Sequence, residues 1–452
     1  MKEKVLVSGG HVVDPARNIN AKADVCVVGD RLVEPNGAFH PDLTIKADGC
    51  LVLPGLIDYH THVFFGATDN GCPPDMGTLP YGVTTAIDAG SAGTANYSAF
   101  HHVIANSAVR IKAFLSVSPT GQATMKLDED HDPRRFDEEK METLFRDYPS
   151  ELLGLKLRIS EEVVGDLGLS PLVKALEIAD RLSCRVAVHT TNPPGDTAAL
   201  ADLFRPGDVF AHVFHGKGST IIGDDGRVLP AVKKARQRGV IFDAANGKSH
   251  FAYRSAEAAL ADGFAPDIIS SDLGWITAFK HPMVALPWVM SKYLALGMSL
   301  PAIVAACTST PARLLGMEHE IGTLAAGSCA DVAIFKLIEH HCEFFDSLGE
   351  SRFGEQLLLP QATLRGGRIV FRRVAGLSEL HPPRRLPRRC RPGGPAFRKP
   401  CEDRAVAPRA VPRPHDRPPQ RLAQRWRIVI ICPGCRAGSP CAFFRPLEIV
   451  PQ

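Results

Sequence analysis

The sequence predicts an α/β protein: a closed (β/α)8 barrel, the TIM-barrel arrangement, carrying a small composite β-sandwich built from both chain ends. Three observations lead there. Short strands without helical period fill residues 4–53, strands and helices then alternate up to about residue 310, and short strands return near residue 320. Strand–helix alternation implies a parallel sheet, and eight such units over about 250 residues suit a closed barrel.

In chain order, Val5-Leu6-Val7, His11-Val12-Val13, Asp24-Val25-Cys26-Val27-Val28 and Cys50-Leu51-Val52-Leu53 read as strands. Gly29-Asp30 and Pro35-Asn36-Gly37 between them are turn chemistry. Residues 1–53 thus form the first part of the sandwich. The barrel is expected over 54–315. Its first strand ends in His60-Thr61-His62, and the other seven lie at 82–88, 111–117, 153–157, 185–189, 209–212, 240–243 and 267–272. Helical stretches fall between them, as at 171–182, 229–238 and 255–262. Strands return at 321–323, 331–335, 363–365 and 368–371, so 316–374 supplies the second part of the sandwich.

The chain has 452 residues, 45% hydrophobic and 22% charged, with a net charge of +3. These values are ordinary for a soluble globular protein with a large core. No uninterrupted apolar run reaches the length of a membrane span, so no membrane partner is expected. Met1-Lys2-Glu3-Lys4-Val5 enters a strand at once instead of opening a signal peptide, and a cytoplasmic protein is expected. Cys26, Cys50, Cys72, Cys184 and Cys307 stand singly, as reduced thiols in a core do.

The last segment, 375–452, breaks the pattern. From Pro382 to Gln452 it holds 16 basic residues against 4 acidic ones, and 15 of the 36 prolines. It reads as a disordered basic extension or as the out-of-frame product of a GC-rich gene. No nucleic-acid partner is inferred from it. Cys432, Cys435 and Cys441 lack a clear fourth ligand for a zinc knuckle.

The functional reading rests on polar residues at strand ends, where barrels of this kind keep their catalytic groups. Strand one ends in His60 and His62, whose alternate side chains can reach one point. Strand four carries Lys156 in an apolar context. Strands five, six and eight end at His189, His212 and Asp272. Each has a plainer reading alone: an edge lysine in water, a satisfied core histidine, a helix-capping aspartate. Their joint occurrence at five strand ends of one barrel points to a metal site.

On these residues the chain resembles the amidohydrolase superfamily of metal-dependent hydrolases, over about residues 5–371. The resemblance rests on Pro54-Gly55-Leu56-Ile57-Asp58-Tyr59-His60-Thr61-His62, Gly82-Val83-Thr84-Thr85 and Gly327-Ser328-Cys329-Ala330-Asp331-Val332. Within the superfamily it is similar to the deacetylase-type, dihydroorotase-like branch, through Asp88-Ala89-Gly90-Ser91, Gly154-Leu155-Lys156-Leu157-Arg158, His212-Val213-Phe214-His215-Gly216 and Ser270-Ser271-Asp272-Leu273.

The resemblance implies two divalent metal ions, most simply Zn2+. One would be held by His60, His62 and Asp272, the other by His189 and His212. Lys156 would be carboxylated by carbon dioxide and bridge the two. An ammonium with a pKa of about 10.4 would repel a metal, whereas a carbamate is an anionic two-oxygen bridge. The expected reaction is hydrolysis of an amide or ester bond of a small acylated carboxylic acid by a metal-bound hydroxide, with Asp272 as the catalytic proton carrier. A cyclic-amide hydrolase of the dihydroorotase or hydantoinase type is the alternative. A deaminase is disfavoured, because neither His189-Thr190-Thr191-Asn192 nor His212-Val213-Phe214-His215 offers a His-x-x-Glu pattern.

Two residues depart from the resemblance. His215 stands where asparagine is expected, and Asn246 stands where relatives often place histidine. Both are expected to meet the small-molecule substrate. Residues 66–75 and 246–253 are expected to line the pocket. Exposed helices of such barrels often pair, which leaves a homo-oligomer open.

Overall fold

The computed structural model describes residues 2–373, apart from 36, 38, 125, 127, 128 and 280–284. The expectations for 375–452 therefore fall outside the described residues. Seven parallel strands follow one another around the barrel: Leu56–Thr61, Val83–Ala89, Arg110–Ser116, Leu152–Arg158, Arg185–His189, Val209–Ala211 and Ile241–Asp243. The first two are buried at every position, as sheets covered on both faces require.

The eighth barrel segment differs from the strand expected at 267–272. It joins the ring through single parallel bridges, Asp243 to Ile268 on one side and Thr61 to Leu273 on the other. Side chains replace part of the ladder there. The Asp58 carboxylate accepts from Ser271 N at 2.9 Å and from the Ser271 hydroxyl, and Ser270 Oγ donates to Asp243. Buried polar groups must be paired, and here carboxylates from neighbouring strands do the pairing.

Tyr59, Ile87, Phe114, Ala187, Val209 and Ile268 form a separate buried cluster drawn from six barrel segments, which fills the barrel interior. Helices cover the outside. Ser170–Arg181 shows why: Pro171 opens it, and Leu172, Ala175, Ile178 and Ala179 bury one face at helical spacing.

Two further sheets lie beside the barrel. One orders Arg31–Val33, Val25–Val28, Lys4–Ser8 and Leu43–Lys46; the other orders Arg368–Arg372, Ser351–Arg365, Val332–Phe345, Leu51–Pro54, His11–Asp14 and Ile19–Lys22. The second sheet joins both ends of the described chain, since Val332 pairs with Pro54 and Phe335 with Leu51. Val5, Val7, Val27 and Ile45 from one sheet pack with Val52, Val332, Ile334 and Leu364 from the other.

Two expectations change here. Residues 321–323 form a bend instead of a strand: Gly322 has φ 71°, and a Cβ there would lie 2.5 Å from Thr308 O. The returning strands are also much longer than 331–335 and 363–365. Val332–Phe345 and Ser351–Arg365 make a long antiparallel hairpin. Its outer half carries Lys336, Glu339, His340 and His341, which hide the strand pattern. That half is held by packing on the helix Leu286–Ala295, where Leu358 N donates to Ser291 Oγ at 3.0 Å and the Trp288 and Phe344 rings lie 4.6 Å apart.

Candidate metal centre

The six residues expected at strand ends meet at one end of the barrel. Their exposure runs from 1% for His212 to 9% for Asp272, so their ionisable groups need partners. His62 N donates to Leu273 O at 2.6 Å, tying the end of strand one to the eighth segment. Asp272 Oδ1 then lies 3.2 Å from His62 Nε2 and 3.8 Å from His60 Nε2. The rings are fixed from behind. Asp243 Oδ2 lies 3.3 Å from His60 Nδ1, and Ser91 Oγ lies 3.0 Å from His62 Nδ1. Ser91 is itself placed by Asp88, whose carboxylate accepts from Ser91 N at 2.7 Å and from Val63 N at 2.8 Å.

A second group faces the first. The His189 and His212 rings are 4.3 Å apart, and His212 comes within 4.9 Å of His60. His212 Nδ1 lies 2.7 Å from Ala245 O, which leaves Nε2 for the centre. His250 completes this group at 4.3 Å from the His212 ring, with Nδ1 3.0 Å from Thr191 Oγ1 and Nε2 3.9 Å from Asp272 Oδ2. Lys156 reaches between the groups, with Nζ 3.2 Å from His60 Nε2. Gly90 makes room for it: φ is 81°, and a Cβ would lie 2.5 Å from Lys156 Cγ. His212 and Asp272 adopt φ values of 64° and 54°, and the strand Val209–Ala211 ends just before His212.

The donors fit divalent transition metals. In each of the sets His60–His62–Asp272 and His189–His212–His250, one potential ligand atom per residue lies within 4.8 Å of the others. Burial pushes His60, His189 and His212 well below the usual imidazole range and His250 down to about 4, so the rings are neutral donors. Burial also lowers Lys156 to about 8, with Asp272 and Asp243 pulling it back up. Beneath the centre, burial raises the carboxyls of Asp58 and Asp243 to about 7.

A cavity of about 300 Å³ opens over both groups and is lined further by Asn70, Gln122, Glu129, Arg158 and Glu162. Arg158 Nη1 donates to Glu129 at 2.9 Å, while its Nε is buried without a hydrogen-bond partner among the described residues.

His215 and Asn246 lie elsewhere. Both are buried, and neither lines this cavity. Ser255 Oγ donates to His215 O at 2.9 Å and holds that residue beneath the loop. Asn246 donates to Gly247 O at 2.8 Å and accepts from Lys292 Nζ at 3.3 Å, which turns its side chain away from the centre. Sequence reasoning named neither His250 nor Arg158 for the site. For His250 a signal existed: an unexpected asparagine at 246 with a histidine four residues on.

Comparison with known proteins agrees with this geometry. Residues 51–362 match the amidohydrolase family. A deacetylase of Agrobacterium fabrum, Atu3266, is 31% identical over 354 residues, covering 78% of this chain and 86% of that protein. The crystal structure of a dihydroorotase is 29% identical with a TM-score of 0.76, covering 82% of this chain and 98% of the other. That of an adenine deaminase is 26% identical with a TM-score of 0.75, covering 81% and 99%. The chain belongs to the amidohydrolase family and is a hydrolase acting on carbon–nitrogen or ester bonds. Among the described residues no helix is long and apolar enough to cross a membrane.

Proposed function

We propose that the chain is a two-metal deacetylase-type hydrolase that cleaves the acyl bond of a small N- or O-acylated carboxylic acid. The observation that carries this reading is Lys156, held by its strand between two three-donor groups at one cavity. His60, His62 and Asp272 would hold one ion, and His189 and His212 the other, with His250 as a further donor on the second side. Lys156, brought down to about 8 by burial, reaches its neutral amine readily. That amine adds carbon dioxide and releases a proton, leaving an anionic carbamate to bridge the two sides. Zinc suits the imidazole-rich set, and such ions polarise a carbonyl and acidify water they bind.

The chain's own groups do the rest. Asp272, shared by His60 and His62, takes the proton of the attacking water and delivers it to the departing nitrogen or oxygen. Asp243 and Ser91 hold His60 and His62 in the tautomers that keep Nε2 facing the centre. Arg158, which lines the cavity, offers its guanidinium to the substrate's carboxylate, and Glu129 fixes the group for that contact.

A cyclic-amide hydrolase shares this centre, and the likeness to the dihydroorotase structure favours it as the second reading. The test is a screen of the enzyme grown with zinc and bicarbonate. N-acetyl amino acids and acetylated hydroxy acids are expected to turn over, whereas turnover confined to dihydroorotate or hydantoins would install the second reading. A purified protein free of divalent ion after that growth would remove both.

A further inference from the structure

His250 differs from His60, His62, Lys156, His189 and His212 in what carries it. Strand seven ends at Asp243, and the next helix begins at Tyr253. His250 therefore rides on an irregular loop, several residues from either support. The Thr191 hydroxyl, just past the end of strand five, lies 3.0 Å from its Nδ1. On the outside, the tip of the long hairpin grips the residues that follow it. Ser347 donates from both N and Oγ to Phe251 O, each at 2.8 Å. Asp346 Oδ2 accepts from Tyr253 N at 3.0 Å, and Tyr253 OH donates to Phe344 O at 2.8 Å.

Lys292, on the helix Leu286–Ala295, links these contacts. Its Nζ donates to Phe345 O at the hairpin tip at 3.0 Å and to Asn246 Oδ1 at the start of the loop at 3.3 Å. The same ammonium lies 4.2 Å from the centroid of the Phe251 ring. One side chain thus touches the hairpin and both flanks of His250. It is only 3% exposed, among Leu286, Val289, Met290 and Tyr293, which are apolar or aromatic core residues. Burial lowers the ammonium to about 7, with Asp346 pulling it up, so the position carries a desolvation cost that a methionine would not. A cavity of about 210 Å³ borders the side chain, so the site tolerates a change of shape.

We propose that Lys292 is a positioning residue: by joining the hairpin tip to both flanks of the 246–251 loop, it sets His250 against His189, His212 and Asp272. The inference rests on the reading of His250 as a working member of the centre. The hairpin belongs to the sheet that joins both ends of the described chain. Through Lys292 that sheet reaches the chemistry without contributing a side chain to it.

The test compares full-length, zinc-loaded wild type with Lys292→Met, Asp346→Ala, His250→Ala and the double variant Lys292→Met/His250→Ala. Loss of charge-assisted hydrogen bonds in Lys292→Met is expected to speed amide hydrogen exchange in 244–252 by about tenfold or more, while 56–61 and 185–189 stay unchanged. Asp346→Ala, altered on the hairpin tip, is expected to loosen the same segment and serves if Lys292→Met folds poorly. Turnover should fall in Lys292→Met without worsening that of His250→Ala in the double variant, since both act through one group. Unchanged exchange in 244–252, or an exchange increase spread over the whole barrel, would overturn the proposal, as would additive losses in the double variant. If His250→Ala alone keeps full turnover and metal content, the role of His250 falls. The exchange measurement then still decides whether Lys292 fixes the loop.

Discussion

The two halves of the centre are built by different means. His60, His62 and Asp272 come from strand one and the eighth segment, which are joined by the Thr61–Leu273 bridge. Their set includes a carboxylate, and its rings are braced by Asp243 and Ser91. The other half, His189, His212 and His250, offers three neutral imidazoles. Its third member hangs on a loop fixed by a hairpin from another sheet. The difference teaches that a strand register can place ligands by itself, while a loop needs outside elements to do the same. It also teaches that the halves should hold metal unequally, because only the first brings its own negative charge.

The largest expected effect joins the halves. Lys156→Ala should lose most metal from both sides and about a thousandfold or more in turnover, with partial rescue by short carboxylic acids that replace the bridge. Metal analysis and kcat report it, and full activity in that variant would remove the bridging role. Next comes the comparison itself. On graded chelation the first ion lost should come from the histidine-only half, so His250→Ala should make that first step easier while leaving the second in place. His62→Ala should instead remove the more tightly held ion. Stepwise metal titration separates the cases, and equal release from both halves would end the distinction.

A smaller effect concerns Arg158, beside Lys156 on strand four. Arg158→Met should raise KM for acylated carboxylic acids by about ten- to a hundredfold, as losing a charged hydrogen bond does. It should leave the corresponding neutral esters unchanged, and an equal rise for both would place the carboxylate elsewhere. The smallest effect is on stability. Lys292 is lowered from 10.5 to about 7 in the fold, with Asp346 the charged group that opposes the shift and Tyr253 and Lys248 nearby. The unfolded chain then binds more protons between these values, so stability should rise with pH from about 7 towards 10. Urea unfolding of Lys292→Met should lack that rise. An identical pH profile would show that the ammonium is not the group responsible.

Much of this centre could be read from the chain because its residues sit on periodic elements. His60, His62, Lys156, His189 and His212 each mark the end or body of an apolar strand, Asp272 follows an apolar run in the eighth segment, and the structure brings all six together. His250 sits in a stretch without period, and its role depends on Ser347, Asp346 and Lys292, which lie roughly forty to a hundred residues away along the chain. Asn246 drew attention through its departure from relatives, but its amide is taken by Gly247 and Lys292. The hairpin beyond Phe335 escaped notice because its outer strands are polar, and packing on a helix decides its length. The eighth segment looked like a strand because carboxylate bonds to Ser270 and Ser271 leave no mark in the order of apolar residues.

The left-handed backbone at His212 and Asp272 has a consequence for how this chain could change. Only glycine adopts such angles freely, and other residues give up about 1–2 kcal/mol there. A lineage that abandoned the chemistry would gain stability by placing glycine at 212 and 272, neither of which lies within a strand. Residues that keep a fold at rest drift towards comfort. Here an imidazole and a carboxylate, two of the proposed metal ligands, stand where the backbone favours glycine.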